Sequence, residues 1–578
     1  MMFPRNRAAV HATVEAPAPP APPARPRPAQ PVTAGGVRPR ERTGWMDVVL
    51  GLLACGVILL WLESVVGIYM PDDAYITYRY AENLAAGRGL VFNAAAAPVE
   101  GYSNLSWIVL LAGLARLGLD LPVWAANLGR LLSLLNLGLV YALSYQVVGR
   151  RAWALLAPAL LALTAPYALW ARGGLETMWY ATLLLLSLWL VGLGLAGRIW
   201  AFPPAAAALF VLALTRHDGA IPLGVSGLLV LIWVLRPGRA ALSAAAGRPR
   251  LAQTLRAPGT WVALGSFAGL ALVYLGYTWW RGQYFGQLVP APFFSRLGGT
   301  LTDPSAVSHT LASYFTRGAH YSAYGDLLVP VLAAAAVGWR AYRRPGLGDW
   351  LIAGCAIGLS LLYFASESYN PAIRYMVPVL PLFYLYAQLP LMSLLQAAWR
   401  AVGRGARGAA AVIALAGVVA LFLLVMAPRT AYDGEHAETA KLHSLVPLGQ
   451  WLHAYAPPGS AVALQDIGVV AYYSGLRVID NNPGGLTNGD LIYRSGVPGF
   501  ADLTLRPQPE FLVFTSFSYA TPKFYAEFAT LQQDPRFLQH YSLYGKVKYW
   551  EDRCYWLYKR TDVVLPPAAQ AAFPPSDW

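Results

Sequence analysis

The sequence predicts a polytopic α-helical membrane protein that ends in a small α/β domain. Hydrophobic residues make up 57% of the 578 residues and charged residues only 12%, which is too apolar for an ordinary soluble chain. Apolar segments of spanning length recur as far as about residue 427. Beyond that point the apolar runs shorten and all five lysines of the chain appear, so we place a domain boundary near residue 429.

About eleven segments are long and apolar enough to span a bilayer. They lie at 45–68, 122–148, 152–170, 177–196, 199–215, 220–235, 259–280, 326–339, 350–365, 375–397 and 409–427. Residues 1–45 are rich in Pro, Ala and Arg without apolar periodicity, which predicts a disordered cytoplasmic segment. The first apolar run begins too far from the N-terminus for a cleaved signal peptide, so residues 46–428 are predicted to form the transmembrane domain.

The arginines predict the orientation. With the N-terminus in the cytoplasm, 21 arginines fall on that side, whereas the opposite loops carry nine arginines beside ten acids. Cytoplasmic loops of membrane proteins carry the excess of basic residues. The loop at 69–121 and the C-terminal region should therefore lie outside the cytoplasmic membrane. The net charge of +14 then reflects topology, and we expect no nucleic-acid partner.

Sequence patterns predict local structure in the two long outer loops. In the first loop, Asp72–Gly87 reads as an amphipathic helix and Ser103–Gly118 as a shorter apolar one, and both are expected at the membrane interface. The second loop, Arg281–Gly325, alternates aromatic residues with Arg and Pro, as is typical of headgroup level.

The C-terminal region at 429–562 is predicted to be an extracytoplasmic α/β domain, followed by a flexible tail at 563–578. Its expected elements are strands at Ala461–Leu464, Arg477–Asp480 and Phe511–Thr515, a helix at Asp466–Ser474 and a hairpin at Tyr549–Tyr558.

Two adjacent carboxylates, Asp72 and Asp73, begin the first outer loop. Ionisable groups at a membrane are costly unless they have a role. A capping role is an open alternative, since acids in a first helical turn interact favourably with the helix dipole. The presence of Glu100, Tyr102 and Asn104 in the same loop favours a functional site.

Several motifs resemble the GT-C glycosyltransferases that use polyprenyl-phosphate sugars, and the resemblance extends over roughly residues 45–560. The motifs are PDDAYITYRYAENLAAGRGLVFN and PVEGYSNLSW in the first loop, WARGGLET at 170–177, LTRHDG at 214–219, YFGQLVPAPFFSR at 284–296 and RYMVPVLPLFYLY at 374–386. Within that superfamily the chain is most similar to the branch containing the mycobacterial terminal arabinofuranosyltransferase. It is more distantly similar to the aminoarabinose and protein mannosyl transferases.

The resemblance implies an inverting transfer of a single sugar, with a pentose such as arabinofuranose as one candidate. The donor would be a polyprenyl-phosphate sugar, and the acceptor a hydroxyl of a cell-envelope glycan, glycolipid or protein at the outer face of the cytoplasmic membrane. Asp72 and Asp73 match the acidic pair of the family, and we favour Asp72 as the base, with Asp73 orienting the sugar or acceptor. The candidate substrate-binding residues are Arg79, Glu100, Tyr102, Asn104, Arg216, His217, Arg296 and Arg374, of which Arg296 and Arg374 are favoured for the phosphate.

One departure affects this assignment. Pro290, Ala291 and Pro292 stand where relatives carry a Pro-Asn-Thr turn, which leaves the detailed role of the second loop open.

No cofactor is expected. The eight His are scattered without metal-ligand spacing, so no metal is predicted to be required, although a divalent cation stays possible. A nucleotide-sugar donor is disfavoured because the sequence has no Walker or Rossmann glycine motif.

Other interpretations stay open. The chain could be a transporter or flippase for a lipid-linked sugar, an oligosaccharide ligase, or a scaffold. Transporters place ionisable groups near the membrane midplane and often show repeated halves, whereas these acids cluster at the outer surface. Glu176 and Asp218 could merely form ion pairs with Arg172 and Arg216. Arg130, inside the second span, needs a buried partner such as Glu63.

Overall fold

A computed structural model describes most of the chain. The described residues are 43–67, 69–94, 96–235, 258–288, 337, 346–365, 374–402, 429–481, 500–524, 530–550 and 552–574. Trp45–Trp578 is one compact unit. The predicted disordered segment before residue 43, the predicted span at 409–427, nearly all of the one at 326–339, and Arg296 lie outside the described residues.

Before residue 429, the secondary-structure elements that the structure describes are all helices. Its helices are α1 (Trp45–Val66), α2 (Asp72–Ala85), α3 (Leu105–Arg116), α4 (Leu121–Val148), α5 (Arg151–Ala154), α6 (Leu156–Ala162), α7 (Ala165–Ala171), α8 (Thr177–Leu195), α9 (Phe202–Thr215), α10 (Ala220–Leu235), α11 (Pro258–Phe285), α12 (Leu347–Ala365) and α13 (Leu380–Val402). Short 3₁₀ turns at Ile199–Ala201 and His217–Gly219 lead into α9 and α10.

The helices confirm a multi-pass membrane protein. Within the described ranges, five helices are long and apolar enough to cross a membrane, and a bent pair of helices makes a possible sixth span. The five are Trp45–Val66, Leu121–Val148, Thr177–Leu195, His217–Leu235 and Pro258–Phe285. Two further predicted segments form shorter apolar helices, at Ile199–Thr215 and Leu347–Tyr363. The described part therefore accounts for about half of the eleven predicted spans.

The predicted straight span at 152–170 is bent. The segments Arg151–Ala162 and Ala165–Ala171 meet at an angle of 71°. Pro166 lies in the first turn of α7, where its missing N–H and its ring prevent the preceding helix from continuing through this point. The Thr164 hydroxyl, at the bend, donates to the Leu160 carbonyl oxygen at 2.9 Å.

A buried ion pair joins the first two long helices. The Arg130 guanidinium on α4 donates to a carboxylate oxygen of Glu63 on α1, with an N–O distance of 2.8 Å. Glu63 is only 1% exposed, so its charge requires a partner. The predicted partner of Arg130 is confirmed.

The two helices of the first outer loop are present, as predicted, at α2 and α3. Most residues of α2 are buried, because α2 packs against α3 on one side and against a helix of the C-terminal region on the other. Other parts of the chain therefore cover α2, which was expected to lie at the membrane interface.

The C-terminal region contains a five-stranded sheet with the order β2-β1-β3-β5-β4. Its strands are β1 (Ala461–Leu464), β2 (Arg477–Asp480), β3 (Phe511–Ser516), β4 (Tyr541–Trp550) and β5 (Arg553–Arg560). β1 pairs in parallel with β2 and β3, whereas β5 is antiparallel to β3 and β4. The accompanying helices are α14 (Arg429–Tyr455), α15 (Val469–Ser474), α16 (Phe500–Leu505), α17 (Pro535–His540) and α18 (Pro567–Ala571). The predicted mixed domain is present.

The closing hairpin is longer than predicted. The predicted segment Tyr549–Tyr558 covers the end of β4, the turn and most of β5. The earlier part of β4 was not predicted as a strand.

The tail expected to be flexible is folded as far as residue 574. Trp451 donates its indole N–H to the Ala569 carbonyl oxygen at 2.9 Å, and its ring meets Phe573 edge to face at 5.2 Å.

Candidate functional site

Pro71 sets the start of α2 and places both carboxylates in its first turn. Pro71 occupies the N-cap position in an extended conformation and has no side-chain group that could cap the helix. Asp72 and Asp73 lie in the first turn, where a negative charge interacts favourably with the helix dipole. Successive residues on a helix point about 100° apart, so the two carboxylates reach different surroundings.

Asp72 is directed toward the C-terminal domain. One carboxylate oxygen accepts from the backbone N–H of Gly468 at 2.8 Å, and the other from that of Val469 at 2.7 Å. Burial, followed by the nearby charge of Asp466, raises the pKa of Asp72 to about 7, against the effect of the two backbone donors. Both oxygens are thus engaged by another part of the chain.

Asp73 is 52% exposed and accepts from an Arg374 Nη at 2.9 Å. The other Arg374 Nη lies 3.6 Å from a carboxylate oxygen of Glu176. The second Glu176 oxygen accepts from the Asn104 amide at 2.9 Å, and the same amide reaches Thr77 on α2 at 3.0 Å. Three segments distant in sequence, at residues 72–104, 176 and 374, therefore meet at Asp73.

Arg374 and Arg216 both lie near the ring of Tyr375. Their guanidinium carbons are 5.5 Å and 4.6 Å from its ring centroid, and both arginines are more than nine-tenths buried. Burial lowers the pKa of Arg374, but the interactions with Tyr375, Glu176 and Asp73 outweigh burial and hold this pKa above its ordinary value. Asp218 accepts from Arg216 at 2.7 Å, which is the ion pair anticipated from the sequence.

Each of these two arginines retains a donor that is not used. Arg216 Nη1 and Arg374 Nε are buried and have no hydrogen-bond partner within the described structure. A buried donor without a partner costs free energy, so these two atoms are the clearest candidates for donation to a bound anion.

A second buried ion pair lies beside this cluster. Arg281, near the end of α11, donates through Nε to both oxygens of Glu100, at 2.8 Å and 3.1 Å. Its Nη2 lies 2.8 Å from His217 Nε2. Burial raises the pKa of Glu100 to about 7, although Arg281 opposes this shift. With the ring of Tyr102, these groups line a narrow polar cavity.

Arg79, a predicted substrate-binding residue, instead contacts other backbone segments. It donates to the Phe92 carbonyl oxygen at 2.8 Å, to that of Leu476 at 2.7 Å, and also to that of Ala471. Its guanidinium carbon lies 4.8 Å from the Phe92 ring centroid. These contacts leave Arg79 directed into the protein, away from Asp73.

The structure thus brings Asp73, Asn104, Arg216 and Arg374 together, and places Glu100, Tyr102 and His217 in the neighbouring cavity. Asp72 and Arg79 contact the C-terminal domain. Sequence reasoning did not select Glu176 or Arg281 for the site. Glu176 could have been found from its place in the WARGGLET motif, and Arg281 from its place in the aromatic second loop.

In the described part of the chain, no group of three or more His, Cys, Asp or Glu side chains is arranged to hold a metal ion. The described residues therefore supply no candidate metal centre.

Comparison with solved structures gives a GT-C-like fold. An oligosaccharyltransferase of Archaeoglobus fulgidus, tethered to an acceptor peptide containing the NVT sequon, matches with a TM-score of 0.53 and 15% identity over 88% of this chain and 73% of that chain. The archaeal oligosaccharyltransferase AglB from the same organism, in complex with an inhibitory peptide and a dolichol-phosphate, matches with a TM-score of 0.50 and 13% identity over 81% and 70%. ArnT from Cupriavidus metallidurans, bound to undecaprenyl phosphate, gives a TM-score of 0.48 and 17% identity over 89% and 98%.

At these identities the likeness concerns the fold alone. It does not distinguish the branches of the superfamily, so the closer similarity to the mycobacterial terminal arabinofuranosyltransferase stays a prediction. Residues 432–558 match a family model described as a domain of unknown function, DUF8728. Comparison of the sequence with curated proteins gives no match.

Proposed function

We propose that the chain is an inverting glycosyltransferase that moves a single sugar from a polyprenyl-phosphate donor to an acceptor hydroxyl. The observation that carries this proposal is the exposed carboxylate of Asp73 paired with the buried Arg374, which shares the ring of Tyr375 with the buried Arg216. Each of these two arginines has an unused donor. A carboxylate base next to buried cations suits a reaction that removes a proton and releases a phosphate. The GT-C-like fold supports the same class of activity.

Asp73 serves as the base in this proposal, in place of Asp72, which was favoured from the sequence. A general base must reach the proton that it removes, and Asp73 is half exposed, whereas both oxygens of Asp72 are bound to backbone N–H groups. The acceptor oxygen bonds to the anomeric carbon as its proton passes to the Asp73 carboxylate. The bond from that carbon to the phosphate oxygen breaks, and the departing polyprenyl phosphate keeps the electron pair.

The departing phosphate is held by Arg374 and Arg216 through the nitrogens that lack partners. Neighbouring carboxylates already balance the charge of these two arginines, so a further cation is needed for a phosphate. We assign that role to Arg296 of the second outer loop. Charge-assisted hydrogen bonds from guanidinium groups are well suited to phosphate oxygens.

Four of the other predicted substrate-binding residues are assigned to the sugar side of this site. Glu100, Tyr102 and His217 surround the polar cavity, and Asn104 links Glu176 to α2. Their carboxylate, hydroxyl, imidazole and amide groups are the types that bind sugar hydroxyls. A pentose such as arabinofuranose is the first sugar to test, with a cell-envelope glycan, glycolipid or protein as the acceptor.

The site is assigned to the outer face of the cytoplasmic membrane, with the N-terminus inside. The arginine distribution supports this orientation. An oligosaccharide ligase is a related possibility, because the matching archaeal proteins are oligosaccharyltransferases.

The proposal is tested with purified full-length protein in liposomes. Polyprenyl-phosphate sugars carrying labelled arabinofuranose, mannose or aminoarabinose are supplied with envelope glycolipid acceptors. Covalent transfer of one labelled sugar, with release of polyprenyl phosphate, is expected. Transfer of a preformed oligosaccharide alone would indicate a ligase, and movement of intact donor across the bilayer without transfer would indicate a flippase. Either result would overturn the proposal.

A further inference from the structure

The first outer loop is joined to the C-terminal domain by hydrogen bonds from several side chains. The most direct contact is that of Asp72 with the backbone N–H groups of Gly468, the N-cap residue of α15, and Val469, the first residue of that helix. Asp72 and Gly468 are nearly 400 residues apart in sequence, so this contact is a feature of the tertiary fold and does not arise from local structure.

The chain approaches Gly468 so closely that only glycine fits. A Cβ atom added at Gly468 would lie 1.9 Å from the Asp72 carbonyl oxygen and 2.7 Å from its carboxylate. Atoms at such distances overlap. An alanine here would therefore have to displace the first turn of α2 or the turn that follows β1.

Two further residues of the same loop reinforce the junction. The Asn93 amide accepts from the Val478 N–H at 2.9 Å and donates to the Val478 carbonyl oxygen at 2.8 Å. Val478 belongs to β2, an outer strand of the sheet, so Asn93 occupies backbone groups that an edge strand leaves unpaired. Arg79 adds donations to the carbonyl oxygens of Ala471 and Leu476.

Asp72 contacts the C-terminal domain just beyond the carboxyl end of β1. In open α/β sheets, ligands bind beyond the carboxyl ends of the strands, at the topological switch point where the strand order reverses. β1 lies between β2 and β3, and Gly468 follows the carboxyl end of β1. The Asp72 carboxylate therefore occupies the place where such a domain commonly holds a ligand.

We propose that Asp72 is a positioning residue, which fixes the first turn of α2 to the C-terminal domain and thereby holds Asp73 at the reacting hydroxyl. This inference rests on the proposed function, because it assigns the base to Asp73. Asp72 and Asp73 are adjacent in the first turn of α2, so anchoring Asp72 fixes the backbone from which Asp73 projects, while Arg374 orients the Asp73 carboxylate. The C-terminal domain then contributes to catalysis without supplying a group that touches the substrate.

A displacement of the base by about 1 Å costs up to roughly a hundredfold in rate. Asp72→Asn keeps one acceptor oxygen but places the side-chain NH₂ group, which is a donor, opposite the second backbone N–H donor. Gly468→Ala leaves the carboxylate in place and forces the two segments apart. Both substitutions should therefore lower kcat by about 10- to 100-fold and leave the KM for the donor within about twofold of wild type. Gly113→Ala, on α3 with open space at its Cβ position, is the matched control and should leave both constants unchanged.

The experiment compares these variants with Asp73→Asn in full-length protein in nanodiscs. We expect Asp73→Asn to abolish transfer, and Asp72→Asn and Gly468→Ala to leave a reduced but measurable kcat. Hydrogen exchange of the backbone amides at 468–474 gives a readout that does not depend on activity, and both variants should accelerate it. Gly113→Ala should not.

Two kinetic results would overturn the inference. One is loss of transfer in Asp72→Asn as complete as in Asp73→Asn, while Gly468→Ala keeps the wild-type kcat, which would make Asp72 a catalytic group in its own right. The other is wild-type kcat in both junction variants. Unchanged amide exchange would overturn it as well. Absence of transfer in wild type combined with accelerated exchange would instead refute the proposed function while leaving the junction established.

Discussion

Replacing Arg374 by methionine should separate the structural cost of this arginine from its catalytic role. The substitution keeps much of the side-chain length but removes the charge that faces Glu176 and Asp73 at 3.6 Å and 2.9 Å. Glu176 is only 3% exposed, and within the described part of the chain the Asn104 amide is the hydrogen-bond partner that remains to it. Leaving one member of a buried ion pair without its partner costs about 3–5 kcal/mol. The exposed partner, Asp73, adds less than about 1 kcal/mol.

A second substitution tests this estimate. Glu176→Gln removes the uncompensated charge but keeps the hydrogen-bonding shape, so the double variant Arg374→Met with Glu176→Gln should recover most of the lost stability. Turnover should stay about 10²–10³-fold below wild type in both, because a donor to the departing phosphate is still missing. Arg374→Lys should recover part of the turnover, since it restores the charge without the two-pronged geometry.

The assay pairs thermal unfolding in detergent, followed by intrinsic tryptophan fluorescence, with sugar transfer by the same preparations. An Arg374→Met variant with a wild-type unfolding temperature would refute the buried-pair argument. A double variant that regains transfer along with stability would show that Arg374 acts only on the fold.

Three further predictions concern the neighbouring groups. Arg281→Met should cost about 3–5 kcal/mol of unfolding free energy because it leaves Glu100 buried without its cation. Glu100→Gln should cost less, and thermal unfolding of the two variants measures the difference. Asn93→Ala removes two hydrogen bonds to Val478 and should cost about 1–3 kcal/mol, with faster amide exchange in β2 as the measured sign. The pKa of Asp72 rises from 3.8 to about 7 on folding, so its stabilising contribution is complete below the lower value and is lost as pH rises through the upper one. The unfolding temperature of wild type relative to Asp72→Asn should therefore fall as the pH rises from about 4 to about 7, and a constant difference would contradict this.

Local patterns in the sequence predicted much of the fold. β1 and β2 begin and end where expected, because short apolar runs bounded by Gly, Pro and Asp define buried strands. The long apolar helices were similarly evident. The bend near Thr164 was missed because hydropathy continues across it, although Pro166 provides a signal for a break.

The site was only partly predictable. The sequence drew attention to Asp73, Arg374 and Arg216 through motifs, and the structure brings them together. It could not reveal that Asp72 and Arg79 turn toward the C-terminal domain, because their partners lie almost 400 residues away. Adjacent carboxylates look alike in a sequence, and only tertiary packing distinguishes them.

The most direct test of the central claim is sugar transfer by Asp73→Asn, measured beside Asp120→Asn. Asp120 belongs to the same outer loop and makes no capping hydrogen bond to α4, so its substitution matches the change in charge without touching the site. Transfer from a polyprenyl-phosphate sugar should fall at least 10³-fold in Asp73→Asn and stay at the wild-type rate in Asp120→Asn, while both variants still bind the donor. Wild-type transfer by Asp73→Asn would contradict the account.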